Sequence, residues 1–331
     1  MSEKISWIDN LRALACMMVV MVHASTSLVV SFAAVHTAEW MVANLLNSAS
    51  RVCVPLFFMI SGALFFGEKS AQKRHFFRVT FCLLFYSAVS LLYILTMTKI
   101  GFWPSLRLIV EKPVFYHLWF FYAIIVIYLL SPLIHVKAVS GKYLLIAGIL
   151  LGVLANPQLP ALTWQKIHLL PLDLYIVGDT FYYVLYALMG RAISQLDTRK
   201  PGITLAAAAI FVLSTLTIAA GTYRQMQINQ NFADTFYVYS GPLVFISAMA
   251  LFVTFKNALS GHILPGFGLI SRHSLAVYGF HALIIIALRS RHLDFPQFPL
   301  LNVAFLFICG LGGGLGLAML LGKVDRRKWV S

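Results

Sequence analysis

The chain has 331 residues, of which 60% are hydrophobic and only 11% charged, and its mean hydropathy is +0.85. Soluble domains carry about 25% charged residues, so a water-soluble globule is excluded and many apolar side chains must face lipid. The net charge of +14 would suggest nucleic acid in a soluble protein, but in a membrane protein it fits basic cytoplasmic loops. The four cysteines, Cys16, Cys53, Cys82 and Cys309, stand alone in apolar stretches without CxxC spacing. They read as small core residues and predict neither a disulfide frame nor a metal site.

About 20 apolar residues cross the hydrocarbon core. Stretches approaching that length lie at 11–32, 41–66, 76–97, 116–134, 138–155, 174–194, 203–220, 236–255, 274–290 and 300–322. They predict an all-α polytopic membrane protein of about ten helices, forming one transmembrane domain over 1–331 without a separate soluble domain. The fifth is weakest, because its apolar run from Tyr143 to Ala155 is short, so nine spans are an alternative. Asn156-Pro157, Pro201-Gly202 and Pro265-Gly266 predict loops between runs.

With the N-terminus cytoplasmic, sixteen Lys and Arg fall on inward segments, from Lys4 through Lys69, Lys73, Arg74 and Arg78 to Lys323, Arg326, Arg327 and Lys328. Seven fall outward: Lys99, Arg107, Lys112, Lys166, Arg224, Arg289 and Arg291. That asymmetry predicts both termini in the cytoplasm. The first span follows only Lys4, with Glu3 and Asp9, and its length resembles a retained helix more than a signal peptide. No internal repeat is visible, which counts against a transporter built on repeats.

Ionisable side chains within spans are costly and are therefore functional candidates. In Ile8-Asp9-Asn10-Leu11-Arg12, Asp9 or Asn10 can cap the first helix. Arg12 and His23 lie eleven residues, about three turns, apart, which puts them on one helical face with about 16 Å between them along the axis. One long ligand can touch both. The structural alternatives are a snorkelling Arg12 paired with Asp9, and a His23 bonded to a neighbouring helix.

In the second span, Pro55 leaves the carbonyl of Arg51 without its helical donor and predicts a kink there. A guanidinium beside a freed carbonyl, at a depth comparable with His23, predicts a polar cavity; an ion pair to Asp179 is the alternative. Ser61-Gly62 at the inner end reads either as part of a site or as a close-packing pair.

Residues 69–78 hold four cations, Lys69, Lys73, Arg74 and Arg78, suited to phosphate groups. The charge rule alone would also place cations there. Further on, His117-Leu118-Trp119-Phe120 opens the fourth span, and Asp173 and Asp179 precede Phe181-Tyr182-Tyr183. Ser274, Tyr278 and His281 share one helical face. An interfacial aromatic belt and helix-to-helix hydrogen bonds are the structural readings of these groups.

Asp9-Asn10-Leu11-Arg12 with His23, then Val54-Pro55-Leu56-Phe57-Phe58-Met59-Ile60-Ser61-Gly62, resembles the opening of the membrane acyltransferase-3 family. The basic segment ending at Arg78, the His117-Leu118-Trp119-Phe120 step and the Ser274 to His281 segment are similar to it too, so the resemblance covers essentially the whole chain. It departs from the usual Asp-Gly-Leu-Arg in having Asn10, which is expected to affect only the cap. No hydrolase-like domain follows the last span, so acceptor recognition is expected to use outward loops and span ends.

The resemblance implies ten helices in a bacterial inner membrane, acetyl-coenzyme A as cytoplasmic donor, and a sugar hydroxyl of an envelope glycan or lipid-linked oligosaccharide as acceptor. It implies His23 as base or acyl carrier, with Arg12 and Arg78 serving the donor. Such chemistry needs a base for the hydroxyl proton and a donor group for the oxyanion. Neutral imidazole, with a reference pKa of about 6.5, suits the first role. On this basis the expected catalytic residues are His23, Arg51 and Asp179, the last orienting His23 or balancing Arg51. Arg12, Lys73, Arg74, Arg78 and Ser61 are expected to bind the donor, with the pantetheine arm running along the first helix to His23. His117, Trp119, Tyr182, Tyr278 and His281 are expected to contact acceptor. No permanently bound cofactor is expected. A proton-coupled transporter, giving flux without a covalent product, and a membrane scaffold, in which His23 is dispensable, are the alternatives from other classes.

Overall fold

The computed structural model describes residues 5–97, 103, 113–164, 167–325, 327, 329 and 330. Among the cations behind the topology reading, Lys4, Lys99, Arg107, Lys112, Lys166, Arg326 and Lys328 lie outside the described residues. The protein is an all-α polytopic membrane protein. Among the described residues eight stretches are long and apolar enough to cross a membrane. These are α1 (Ser6–Val30), α2 with α3 (Thr37–Ser50 and Cys53–Phe65), α4 (Lys73–Met97), α5 with its flanking 3-10 turns (Trp119–Leu130 within Tyr116–Leu133), α8 (Pro201–Asn229), α9 with the 3-10 turn before it (Pro242–Ala258 within Thr235–Ala258), α10 (Phe267–Ser290) and α11 (Pro299–Val324). Leu84, Leu92, Leu145, Leu205, Leu213 and Leu320 point outward from the bundle, where a bilayer covers them at no cost.

The fifth and sixth expected spans form shorter helices. α6 (Gly141–Ile149) starts on Ser140, whose hydroxyl caps Tyr143 N–H, and ends in a π-turn at Leu150–Leu154. Gly152 lies against the Phe245 ring, and the Asn156 amide donates to the carbonyls of Gly152 and Ser240, which stops the helix. α7 (Asp179–Gln195) has 17 residues, about 25 Å of helix. Between them a two-stranded antiparallel hairpin (β1, Leu162–Trp164; β2, Ile167–Leu170) was not anticipated from the sequence.

Two local expectations are corrected. Pro201-Gly202 opens α8 instead of forming a loop, because proline at the first helical position gives up an N–H that has no partner there. The N-cap of α1 is Ile5, without a side-chain cap, so neither Asp9 nor Asn10 caps it. Asn10 is fully buried and staples α1 to the segment before α10, donating to His262 O and accepting from Leu264 N–H. The kink expected at Arg51 is present: the break in the second span falls at Arg51-Val52, one turn before Pro55, which sits inside the first turn of α3.

α1 is the central helix, packed by α2, α3, α9, α10 and α11, and its Leu11, Ala13, Ala15, Val20 and Ala24 are fully buried. α3 and α7 approach more closely than side chains allow. A methyl group on Gly62 would lie 1.8 Å from the Ala187 carbonyl oxygen, and one on Gly190 would lie 2.2 Å from that of Met59. Gly62 is therefore the close-packing residue of the Ser61-Gly62 pair. Gly190→Ala is expected to destabilise the bundle by about 1–3 kcal/mol or more, since backbone is the obstacle. Thermal unfolding in detergent measures it, and an unchanged midpoint would contradict this packing.

Candidate active site

α1 and α10 run in parallel and present facing polar residues. At the end carrying both helix N-termini, Arg12 Nη1 donates to Asp9 Oδ1 at 2.9 Å and to Ser271 Oγ at 3.3 Å, and Ser271 Oγ donates to the same Asp9 oxygen at 2.9 Å. Higher up, the Cys16 thiol faces the Ser274 carbonyl at 3.8 Å. At the top, the rings of His23 and His281 lie 5.0 Å apart, centroid to centroid. The 3.6-residue period carries Ser271, Ser274, Tyr278 and His281 along one face of α10, as it carries Arg12 and His23 along α1.

A cavity of about 560 Å³ occupies the lower half of this seam, within the range of about 300–1,000 Å³ usual for small-molecule sites. Asp9, Arg12, Ser61, His75, Arg78, Tyr128, Ser271, Arg272, Ser274 and Tyr278 supply its polar wall, and Phe57, Ile60, Phe120 and Ile124 its apolar one. Arg272 is exposed, so the cavity reaches the surface on the face that the charge count assigns to the cytoplasm. Among the described residues, every hydrogen bond of Arg12 comes from Nη1, and a guanidinium has five N–H donors. The Arg12–Asp9 pair expected as a structural alternative thus exists and still leaves donors for a ligand.

Arg12, Arg78 and Ser61 line this cavity, whereas Lys73 and Arg74 are exposed at the start of α4 and are not part of its wall. His75, Tyr128, Ser271 and Arg272 also line it, although the sequence did not single them out for the donor. Ser271 was legible as the next member of the Ser274–Tyr278–His281 stripe. His75 and Tyr128 gave no such signal, because nothing in the sequence aligns α4 with α5.

The upper end of the cavity is closed by Tyr278, whose ring lies 5.8 Å from that of His281 and whose hydroxyl donates to the His117 carbonyl. His117 sits 5.4 Å from His281, ring to ring, so three histidines from α1, α10 and the turn before α5 gather behind Tyr278. His23 itself is half-buried and also touches the ring of Tyr116, which is 49% exposed. His23 is not in the cavity wall: ring contacts run from Tyr278 in the wall to His281, from His281 to His23, and from His23 to the exposed Tyr116.

Arg51 reaches the same level. Its Nε donates to Asn47 Oδ1 at 2.8 Å, and Asn47 Nδ2 donates to the Val22 carbonyl and to Ser25 Oγ on either side of His23. Its guanidinium carbon lies 4.1 Å from the centre of the Tyr237 ring, a cation–π contact. Among the described residues Arg51 and Asp179 are not paired, which overturns the alternative of an ion pair between them. Asp179 is exposed at the start of α7 and accepts a 2.6 Å hydrogen bond from Ser240. Its carboxylate is thus held by a neutral hydroxyl one loop away, while Arg51 is satisfied by an amide and a ring. Arg289, counted only as an outward cation, donates to the Ala24 carbonyl and to Ser27 Oγ, one turn above His23.

Trp119 does not form part of a lipid-facing belt. Its ring lies 5.6 Å from Tyr183 and 5.9 Å from Tyr239, and Tyr183 stacks on Phe58 at 4.7 Å. Tyr182 is buried, and among the described residues its hydroxyl has no hydrogen-bond partner. Among the described residues, no group of three or more His, Cys, Asp or Glu is arranged to hold a metal ion.

Comparison with curated proteins and with solved structures found no match. Residues 5–322, nearly the whole chain, match the acyltransferase-3 family, described as an acyltransferase domain. A cation-lined cavity on one face, ending at a tyrosine whose ring lies against the histidines of the seam, belongs to a chain that is a member of the acyltransferase-3 family and is an acyltransferase.

Proposed function

We propose that the protein is an inner-membrane O-acetyltransferase that moves an acetyl group from cytoplasmic acetyl-coenzyme A to a sugar hydroxyl of an envelope polysaccharide at the periplasmic side. The observation that carries this reading is the cavity that begins at Arg272, passes Arg12 and Arg78, and ends on Tyr278 beside the histidines. Cations at the entrance suit the phosphates, and the narrow axial run from Arg12 to His23, about 16 Å, suits a pantetheine arm. Side-chain motion at Tyr278 would admit the thioester to His23.

His23 takes the proton of the acceptor hydroxyl as its oxygen attacks the thioester carbonyl. The tetrahedral oxyanion collapses, the C–S bond breaks, and the imidazolium returns the proton to the departing thiolate. Arg51 orients the acceptor or donates an N–H to the oxyanion. The aromatic group around Trp119, Tyr183 and Tyr239 offers flat apolar faces to a sugar ring on the outer side. A narrower resemblance, to the enterobacterial inner-membrane O-acetyltransferase WecH, associated with enterobacterial common antigen, makes that glycan the first acceptor to try. Membrane vesicles given radiolabelled acetyl-coenzyme A and candidate envelope glycans should yield a glycan bearing alkali-labile label. Label-free glycan together with uptake of an unmodified substrate would favour transport instead.

Arg51→Lys keeps the charge but loses the planar fork that meets Asn47 and covers Tyr237. It is expected to lower kcat about tenfold with donor KM unchanged, and Arg51→Ala to lower it by about a hundredfold. Since Arg51 and Asp179 are not paired, Asp179→Asn should not restore either yield or turnover to Arg51→Ala. Restoration by that second substitution would return Arg51 to a structural role.

A further inference from the structure

Two of the three clustered histidines carry buried ring nitrogens without a partner. His281 is fully buried, and its Nδ1 lies 2.7 Å from the Tyr278 carbonyl and 3.1 Å from that of Val277. Carbonyls only accept, so Nδ1 carries the proton and Nε2 presents a lone pair. That Nε2 has no hydrogen-bond partner among the described residues. An unsatisfied acceptor at such depth is costly and points to a donor that should meet it.

The neighbours narrow the choice. His117 Nε2 lies 3.2 Å from the Gly279 carbonyl, so its proton is used there and its own Nδ1 is a second unpartnered acceptor. Two lone pairs cannot satisfy each other. The Tyr278 hydroxyl is committed to the His117 carbonyl. His23 remains: among the described residues its ring makes no hydrogen bond, and it lies 5.0 Å from His281, centroid to centroid. A ring nitrogen sits about 1 Å from its centroid, so a hydrogen bond of about 3 Å between two imidazoles sets the centroids about 5 Å apart. The rings are inclined at 41°, and χ2 of a histidine is a soft torsion, so the His23 ring has freedom to turn toward His281.

We propose that His281 is the positioning residue of His23: its Nε2 accepts the one ring N–H of His23, fixing the tautomer and turning the other ring nitrogen, as a lone pair, toward the reacting hydroxyl. The chain of donors and acceptors then starts at two backbone carbonyls of α10 and ends at the base, the part that a carboxylate plays in other nucleophilic sites. This assignment rests on the proposed role of His23 as base. Unlike a carboxylate, a neutral imidazole orients the base without adding a second charge to the membrane interior.

The test uses full-length protein in detergent with ¹⁵N-labelled histidine, and reads the tautomer of His23 from its two ring-nitrogen shifts, with His23→Ala identifying the signals. Wild type should show a single His23 tautomer, His281→Phe a mixture of both, and His281→Gln, whose amide oxygen can still accept, should restore one. In the transfer assay His281→Phe should lower kcat about 10–100-fold, the range seen when an orienting partner of histidine is removed, with donor KM unchanged, and His281→Gln should recover most of it. An unchanged tautomer in His281→Phe overturns the proposal, as does a rise in acceptor KM at constant kcat, which would make His281 an acceptor ligand. Because the tautomer is read without turnover, failure of the acetyltransferase reading leaves this result independently interpretable.

Discussion

His23→Ala is expected to lower acyl transfer by about 10²–10⁴-fold, the worth of a positioned general base, while the protein still accumulates in the membrane. The ring is half-buried and makes no hydrogen bond among the described residues; its ring-to-ring contacts there are with Tyr116 and His281. Its loss therefore leaves α1, whose packing rests on Leu11, Val20 and Ala24, in place. Single-turnover rate measured beside detergent-stable yield separates chemistry from folding. Wild-type turnover in this variant would remove His23 from the mechanism and leave the histidine cluster as packing.

The second large effect is expected at the opposite end of the seam. Arg12→Ala combined with Arg78→Ala should raise donor KM by about 10²–10⁴-fold, since hydrogen bonds to charged groups are worth about 1.5–3 kcal/mol each, with kcat reduced far less. The loss should shrink as salt rises, because salt already weakens the wild-type contacts. Lys73→Ala with Arg74→Ala should change donor KM by no more than a few-fold, for both side chains are exposed and off the cavity wall. Steady-state kinetics against donor concentration checks both. Equal effects from the two pairs would show that general basicity, and not the cavity, captures the donor.

The architecture was legible because its signals are strong and local. Lipid-length apolar runs and the cation asymmetry need no knowledge of neighbours, and the 3.6-residue period alone aligned Arg12 with His23 and Ser274 with His281. The pairing of those two stripes into one seam was not legible, since no sequence feature says that α10 lies beside α1. For the same reason the sequence offers Arg51 an acid such as Asp179 as its alternative partner, whereas the structure gives it Asn47 and Tyr237. Neutral partners carry no charge signature. Asn10 was read as a cap because its type favours caps, but the helix begins earlier, at Ser6, so its amide is used in tertiary contact. The basic 69–78 segment divided along its helix. Only Arg78 and His75 turn to the cavity, a distinction that four cations in a row of residues cannot convey.

In the proposed reaction the acetyl group enters on the face of Arg12 and Arg78 and leaves from the other, by way of His23. Sealed vesicles of each orientation, with the acceptor glycan enclosed and membrane-impermeant radiolabelled acetyl-coenzyme A supplied only outside, test it most directly. Inside-out vesicles, which expose the basic face, should place alkali-labile label on the enclosed glycan, and His23→Ala vesicles should not. Label transferred equally from either face, or transferred without His23, would contradict the account.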